Sequence, residues 1–263
     1  MDLGLKDKVA LVAAASKGLG KAAALELARE GAQVAICART ENPLRATAAE
    51  IRAATGSKVL TVVADVSDPN DVERLVQTTV DHFGRLDILV TNAGGPPTGH
   101  FLDLDDNAWH AAVELILMSA VRLCREAVPH MRKHGWGRIV NITSISVKQP
   151  IDSLLLSNAL RAGVVGLAKT LSNQFASDGI TVNSVCPGYT NTARVAELNR
   201  ARAQELGISP EEVERQVTAS IPAGRMGQPR ELAALIAFLA SERAAYITGT
   251  AIQVDGGYIK GLF

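Results

Sequence analysis

Eight consecutive residues, Ala13-Ala14-Ala15-Ser16-Lys17-Gly18-Leu19-Gly20, have the types and spacing to hold a phosphate. Small residues let a backbone come close to an anion. A helix opening at Gly18 would add free N–H groups and the positive end of its dipole. A second cation, Arg39, follows Cys37-Ala38, and no acid stands where a ribose diol would need one. Lys17 and Arg39 together suit a phosphate monoester, which a carboxylate would repel.

For these residues to meet, the chain must bring a turn and a strand end to one edge of a sheet. Short apolar runs alternate with longer helical patterns along the sequence. Strands are expected at Lys8–Ala13, Gln33–Ala38, Lys58–Ala64, Leu86–Thr91, Arg138–Thr143, Ile180–Cys186 and Thr250–Val254. Helices are expected at Gly18–Arg29, about Pro43–Ala54, Pro69–Phe83, about Asp106–Lys133 and Leu154–Ser177. Strands that are apolar throughout and alternate with helices predict an α/β class: a seven-stranded, mostly parallel, doubly wound sheet covered on both faces. Polar helices at Val195–Leu206 and Pro210–Ala219 break this rhythm, with Glu205, Glu211, Glu212, Glu214 and Arg215 among them. They follow a strand end, where ligands bind in such sheets, so a small lid is expected over about 190–228. One dinucleotide-binding domain over 1–263 is expected, without repeats or a linker.

The ordered motifs resemble the short-chain dehydrogenase/reductase family. Gly18, Leu19 and Gly20 match the end of its Thr-Gly-x-x-x-Gly-x-Gly turn, while Ala13 and Ala14 stand in place of the Thr and first Gly. Alanine at that Gly position is expected to require a negative φ. Asp65-Val66 resembles the pair that contacts adenine, and Asn92-Ala93-Gly94 the motif lining the cofactor. Asn183, Pro187-Gly188 and Asp255-Gly256-Gly257 match later strand endings, and Thr192 sits where the family binds the nicotinamide carboxamide. The resemblance implies a Rossmann-type fold closest to 3-oxoacyl-ACP reductases. Together with Ala14, Ser16, Lys17 and Arg39, it implies NADP(H) as cofactor.

The same resemblance exposes gaps. The family reduces carbonyls with a Tyr-x-x-x-Lys pair, a Ser and an Asn. Only the Ser survives, as Ser144 in Asn141-Ile142-Thr143-Ser144. Ser157 occupies the Tyr position, Arg161 the Lys position and Ile116 the Asn position. Serine is a weak acid beside a phenol of pKa ~10, whereas arginine keeps a charge that can reach ribose hydroxyls. Tyr189, His100 and Lys148 are alternative sources of a proton or charge. Three readings follow: an oxidoreductase with a rearranged proton donor, an NADP(H)-binding sensor or partner subunit without turnover, or a structural member of a mixed oligomer. The first is preferred, because hydride transfer needs positioning above all and the positioning elements remain. Apolar residues at Ile116, Leu154, Leu155 and Leu156 imply a dry pocket for a hydrophobic carbonyl or enone.

Composition narrows the partners. Lys+Arg and Asp+Glu both number 27, so no bulk charge points to nucleic acid or a membrane surface. Cys37, Cys124 and Cys186 are far apart in apolar runs and are expected to be buried thiols without metal. The opening Met1-Asp2-Leu3-Gly4-Leu5-Lys6 lacks the pattern of a secretion signal, so a cytoplasmic protein is expected. Val113, Leu117, Val121 and Val128, and Leu160, Val164, Leu167 and Leu171, spread around their helices. Such helices need a second covering layer, so a homotetramer or dimer is expected, with the apolar Ile259–Phe263 contributing.

Overall fold

A computed structural model describes residues 2–262. Seven strands form one sheet: β1 (Val9–Val12), β2 (Gln33–Ala38), β3 (Val59–Val63), β4 (Ile88–Thr91), β5 (Gly137–Ile142), β6 (Ile180–Pro187) and β7 (Ala251–Val254). Their order is β3-β2-β1-β4-β5-β6-β7, and every pairing is parallel. The chain winds outward from β1 to β3 and then returns to β4. The crevice between β1 and β4 is therefore the switch point at which such sheets bind ligands.

The strands are apolar on both sides because both sides are covered. On one face Ala10, Val12, Val34 and Ile36 pack with Ala23, Ala24 and Leu27 of α1 (Gly18–Arg29) and with Leu232 and Ile236 of α9 (Pro229–Leu239). On the other, Val9, Leu11, Ala35 and Cys37 meet Leu75 and Val76 of α3 (Pro69–Phe83) and Leu123 and Met131 of α5 (Ser119–Arg132). Each fully buried Leu or Ile contributes roughly 1.5–3 kcal/mol. The three cysteines are free and buried, as expected. Burial pushes the Cys37 and Cys124 thiols up to about 12. No helix among the described residues is long and apolar enough to cross a membrane.

Two helical regions differ from the sequence reading. The continuous helix expected over 106–133 is broken into α4 (Asp106–Ala112), a π-helical turn (Val113–Met118) and α5. The Ser119 N–H bonds back to the Glu114 carbonyl, five residues earlier. The Ser119 hydroxyl donates to the Leu115 oxygen at 2.6 Å and caps what the wide turn frees. The two helices expected after the sixth strand form as α7 (Ala193–Leu206) and α8 (Pro210–Ser220), around a small core of Ala203, Val213, Val217 and Ile221. The remaining helices are α2 (Glu41–Thr55) and α6 (Leu155–Phe175). Phe263, part of the apolar ending, lies outside the described residues.

Candidate active site

A cavity of about 640 Å³ runs along the carboxyl ends of the strands. It gathers residues from the β1 turn (Ala14, Ser16, Lys17, Gly18, Leu19), the β2 end (Ala38, Arg39) and the β3 end (Asp65, Val66). Asn92, Ala93 and Gly94, then Ser144, Ser157 and Arg161, and finally Pro187, Gly188, Tyr189 and Thr192 line the rest. Gly20 lies beneath the turn and does not line the cavity, and neither do His100 and Lys148.

The turn is built from close approaches. A Cβ on Gly20 would stand 2.6 Å from the Ala14 oxygen and 2.9 Å from Asn92 Nδ2. Asn92 Nδ2 in turn donates to that Ala14 oxygen at 3.2 Å, tying the β4 end to the turn. Ala14 overturns one expectation: its φ is +47°, not negative. The turn keeps the left-handed conformation that a glycine would adopt freely, and Ala14 bears a strain of roughly 1–2 kcal/mol. Its neighbours hold it there, because the N–H of Ala13 bonds Val90 O at 3.0 Å and that of Ala15 bonds Cys37 O at 2.9 Å. No side chain caps the N-terminus of α1, and its first turn contains no acid, so its N–H groups face the cavity. By contrast α3, α4, α7 and α8 are capped by Asp68, Asp105, Thr192 and Ser209.

The cations sit at the β2 side of this turn. Arg39 is 74% exposed and 4.0 Å from Asp65 Oδ2, a weak contact that leaves the guanidinium available. Asp65 Oδ1 accepts from the backbone and hydroxyl of Ser67, which shapes the loop after β3. A cavity of this size, an uncapped helix start and two cations fit a dinucleotide with an additional phosphate.

At the other end the substituted pair is in direct contact. Arg161 Nε donates to Ser157 Oγ at 3.1 Å, and Arg161 Nη1 donates to Ile142 O at 3.1 Å. The i,i+4 spacing on α6 places them one turn apart. Desolvation, and then the charge of Arg194, lower the Arg161 pKa to about 10. Ser144 Oγ accepts from Ser146 N at 3.1 Å. Both serine oxygens therefore act as acceptors from the protein, leaving each O–H free to donate into the cavity.

The other candidates separate. Tyr189 lines the cavity but packs edge-to-face on Tyr258, with ring centroids 5.3 Å apart. Burial and the neighbouring Tyr258 push its phenol up to about 12, so it is a weaker acid than an ordinary tyrosine. His100 and Lys148 do not line the cavity; His100 instead lies 3.8 Å from Glu205 of the lid. Asn183 is a staple between strands: its Nδ2 donates to Ile247 O at 2.7 Å and its Oδ1 accepts from Thr250. Ile116 is buried with Leu156, Leu160 and Val164 beneath the cavity, and it is Leu115 that reaches the wall. Sequence reasoning missed Arg194, in the first turn of α7, whose Nη2 donates to Pro96 O at 2.8 Å across the cavity. Its only signal was its place two residues after Thr192.

Comparison with known proteins matches the chain to reductases over nearly its whole length. A family model described as enoyl-(acyl carrier protein) reductase matches residues 13–259. The chain is 39% identical over 258 residues to a 3-oxoacyl-[acyl-carrier-protein] reductase of Synechocystis sp., covering 97% of this chain and 98% of the relative. It is 36% identical over 255 residues to the corresponding FabG reductase of Vibrio cholerae, covering 97% and 98%. Among solved structures, L-sorbose reductase from Gluconobacter frateurii, complexed with NADPH and L-sorbose, superposes with a TM-score of 0.95 at 35% identity, covering all of both chains.

Proposed function

Because the chain belongs to the short-chain dehydrogenase/reductase family, we propose that it is an NADP(H)-dependent oxidoreductase with a non-standard proton donor. Its substrate is a hydrophobic carbonyl of the 3-oxoacyl type, or an enone. The observation that carries this reading is the 3.1 Å contact between Arg161 Nε and Ser157 Oγ in the cavity wall.

The N–H groups of Gly18, Leu19 and Gly20 would hold the pyrophosphate, and Lys17 and Arg39 the 2′-phosphate. Asp65 and Val66 would flank the adenine; Asn92, Ala93, Gly94, Pro187 and Gly188 would form the walls, and Thr192 would bind the carboxamide. NADPH supplies the hydride when bound. The chain's own residues handle the negative charge that then develops on the substrate oxygen. Ser157 and Ser144 donate hydrogen bonds to it, and Arg161 supplies a fixed positive charge in a poorly solvated wall. Arg161 also polarises the Ser157 O–H by donating to its oxygen, which makes that hydroxyl a better donor. An alkoxide left by direct ketone reduction demands a strong acid. An enolate left by hydride addition to an enone spreads its charge and asks less of Ser157. The serine–arginine pair therefore suits the enone better. Leu115, Ile151 and Leu154 keep that end of the cavity apolar. Val121 of α5 and Leu167 of α6, which the single chain leaves half-buried, support assembly as a dimer or tetramer, whereas Val128, Leu160 and Val164, expected to need a second covering layer, are already buried within one chain.

Calorimetric titration with NADPH and NADH tests the cofactor half of this reading. NADPH is expected to bind more tightly by about tenfold or more, roughly 1.4 kcal/mol. Equal binding of the two would remove Lys17 and Arg39 from the phosphate site.

A further inference from the structure

The catalytic end of the cavity holds more positive charge than hydride transfer to a neutral substrate requires. Arg161 and Arg194 both line it. Among the described residues no carboxylate pairs with Arg161. Its Nε and Nη1 are engaged by Ser157 Oγ and Ile142 O, while its Nη2 has no acceptor. Arg194 is anchored by Pro96 O and approached by Glu197 Oε2 at 3.7 Å. Glu197 is half exposed, so solvent weakens that contact and it offsets at most one of the two charges. The repulsion is felt within the protein: the charge of Arg194 adds to desolvation in holding Arg161 below its ordinary range. Two guanidiniums facing one cavity without an anion between them are an unfavourable arrangement that a bound anion would relieve.

We infer that the substrate carries a carboxylate beside its apolar body, and that Arg194 of the lid binds this group together with Arg161. The inference rests on the oxidoreductase reading and adds the substrate's charge to it. The guanidinium fork matches a carboxylate with two parallel hydrogen bonds. The position of Arg194 favours substrate over cofactor. It lies against the loop after β4, where a Cβ on Gly95 would come within 2.6 Å of its Nε. Thr192 Cγ2, and no atom of Arg194, comes within 4 Å of where a Gly18 Cβ would stand, at 3.8 Å. Val195 and Leu198, on the same helix, line the cavity beside Arg194 and provide the apolar contact for the rest of the molecule.

The cofactor's pyrophosphate is the other anion that Arg194 could reach, so the test separates the two. Protein saturated with NADPH is titrated calorimetrically with benzoate and with benzamide, which share a shape but differ in charge. Benzoate is expected to bind more tightly by about tenfold, and Arg194→Leu to remove that preference while leaving NADPH affinity within about twofold. Arg194→Lys should restore part of the preference, because it keeps the charge but loses the fork. Equal binding of benzoate and benzamide overturns the inference alone. A loss of NADPH affinity in Arg194→Leu, with benzoate unaffected, assigns the residue to the pyrophosphate and also overturns it. Failure of the unaltered protein to bind NADPH at all is visible before benzoate is added, and it sinks the oxidoreductase reading itself.

Discussion

Serine is too weak an acid to replace a tyrosine unaided, and what distinguishes Ser157 is the guanidinium bonded to its oxygen. Arg161→Leu should therefore lower kcat by about a hundredfold, a typical magnitude for a lost charge-stabilising group. The Arg161 cation also sets a pH limit. Its pKa in the folded chain, about 10, lies below that of a free guanidinium. Between those two values the unfolded chain binds more protons, so this group's contribution makes stability rise with pH there, and its unfavourable effect is fully present below about pH 10. On the role proposed for this cation, activity has the opposite dependence. The rate should fall above pH 10, and an Arg161→Leu profile should lack that limb. At Ala14 the left-handed φ predicts a different outcome. Ala14→Gly relieves roughly 1–2 kcal/mol of strain and loses about 0.4–1 kcal/mol through a freer unfolded chain. Thermal unfolding should therefore show Ala14→Gly unchanged or slightly stabilised, and a clear destabilisation would contradict the strained turn.

Among the elements, the β1 turn with α1 was the most legible in the sequence, because its geometry is local. Strand, glycines and helix start are contiguous, and they form where the sequence placed them, except that Ala14 takes a positive φ. Gly20→Ala should weaken NADPH binding by about tenfold or more, because the new methyl meets the Ala14 carbonyl at 2.6 Å. Arg39→Asp should shift preference toward NADH, since a carboxylate at the β2 end suits ribose hydroxyls and repels the 2′-phosphate. What stayed hidden depends on distant contacts. Arg194 and Pro96 lie 98 residues apart in sequence, and neither residue type announces the other. The π-helical turn was equally hidden: 106–133 has ordinary helical periodicity, and only Ser119 bonding back to Leu115 and Glu114 reveals the wider winding. Asn183 matched a family motif, yet it serves the β6–β7 edge and not the cavity.

The whole molecule places its chemistry at a topological switch and leaves the small residues Ala162, Gly163 and Gly166 of α6 exposed on its flank. Gly166 of α6 is exposed, with nothing within 4 Å of a Cβ built there. If α6 is covered by a second copy, Gly166→Glu will be tolerated by the fold, with helix propensity even improved by about 1 kcal/mol, but will break the assembly. Sedimentation should then show the variant as a smaller species than the unaltered chain; identical sedimentation would place the interface elsewhere. The central claim, that this scaffold still transfers hydride with Ser157 as donor, is tested most directly by NADPH oxidation across matched ketones, 3-oxoacyl thioesters and enones, with the unaltered chain and Ser157→Ala side by side. Turnover of at least one class is expected, fastest with enones, with a fall of about a hundredfold in kcat for Ser157→Ala. NADPH binding without turnover of any class, or a Ser157→Ala variant as fast as the unaltered chain, would contradict it.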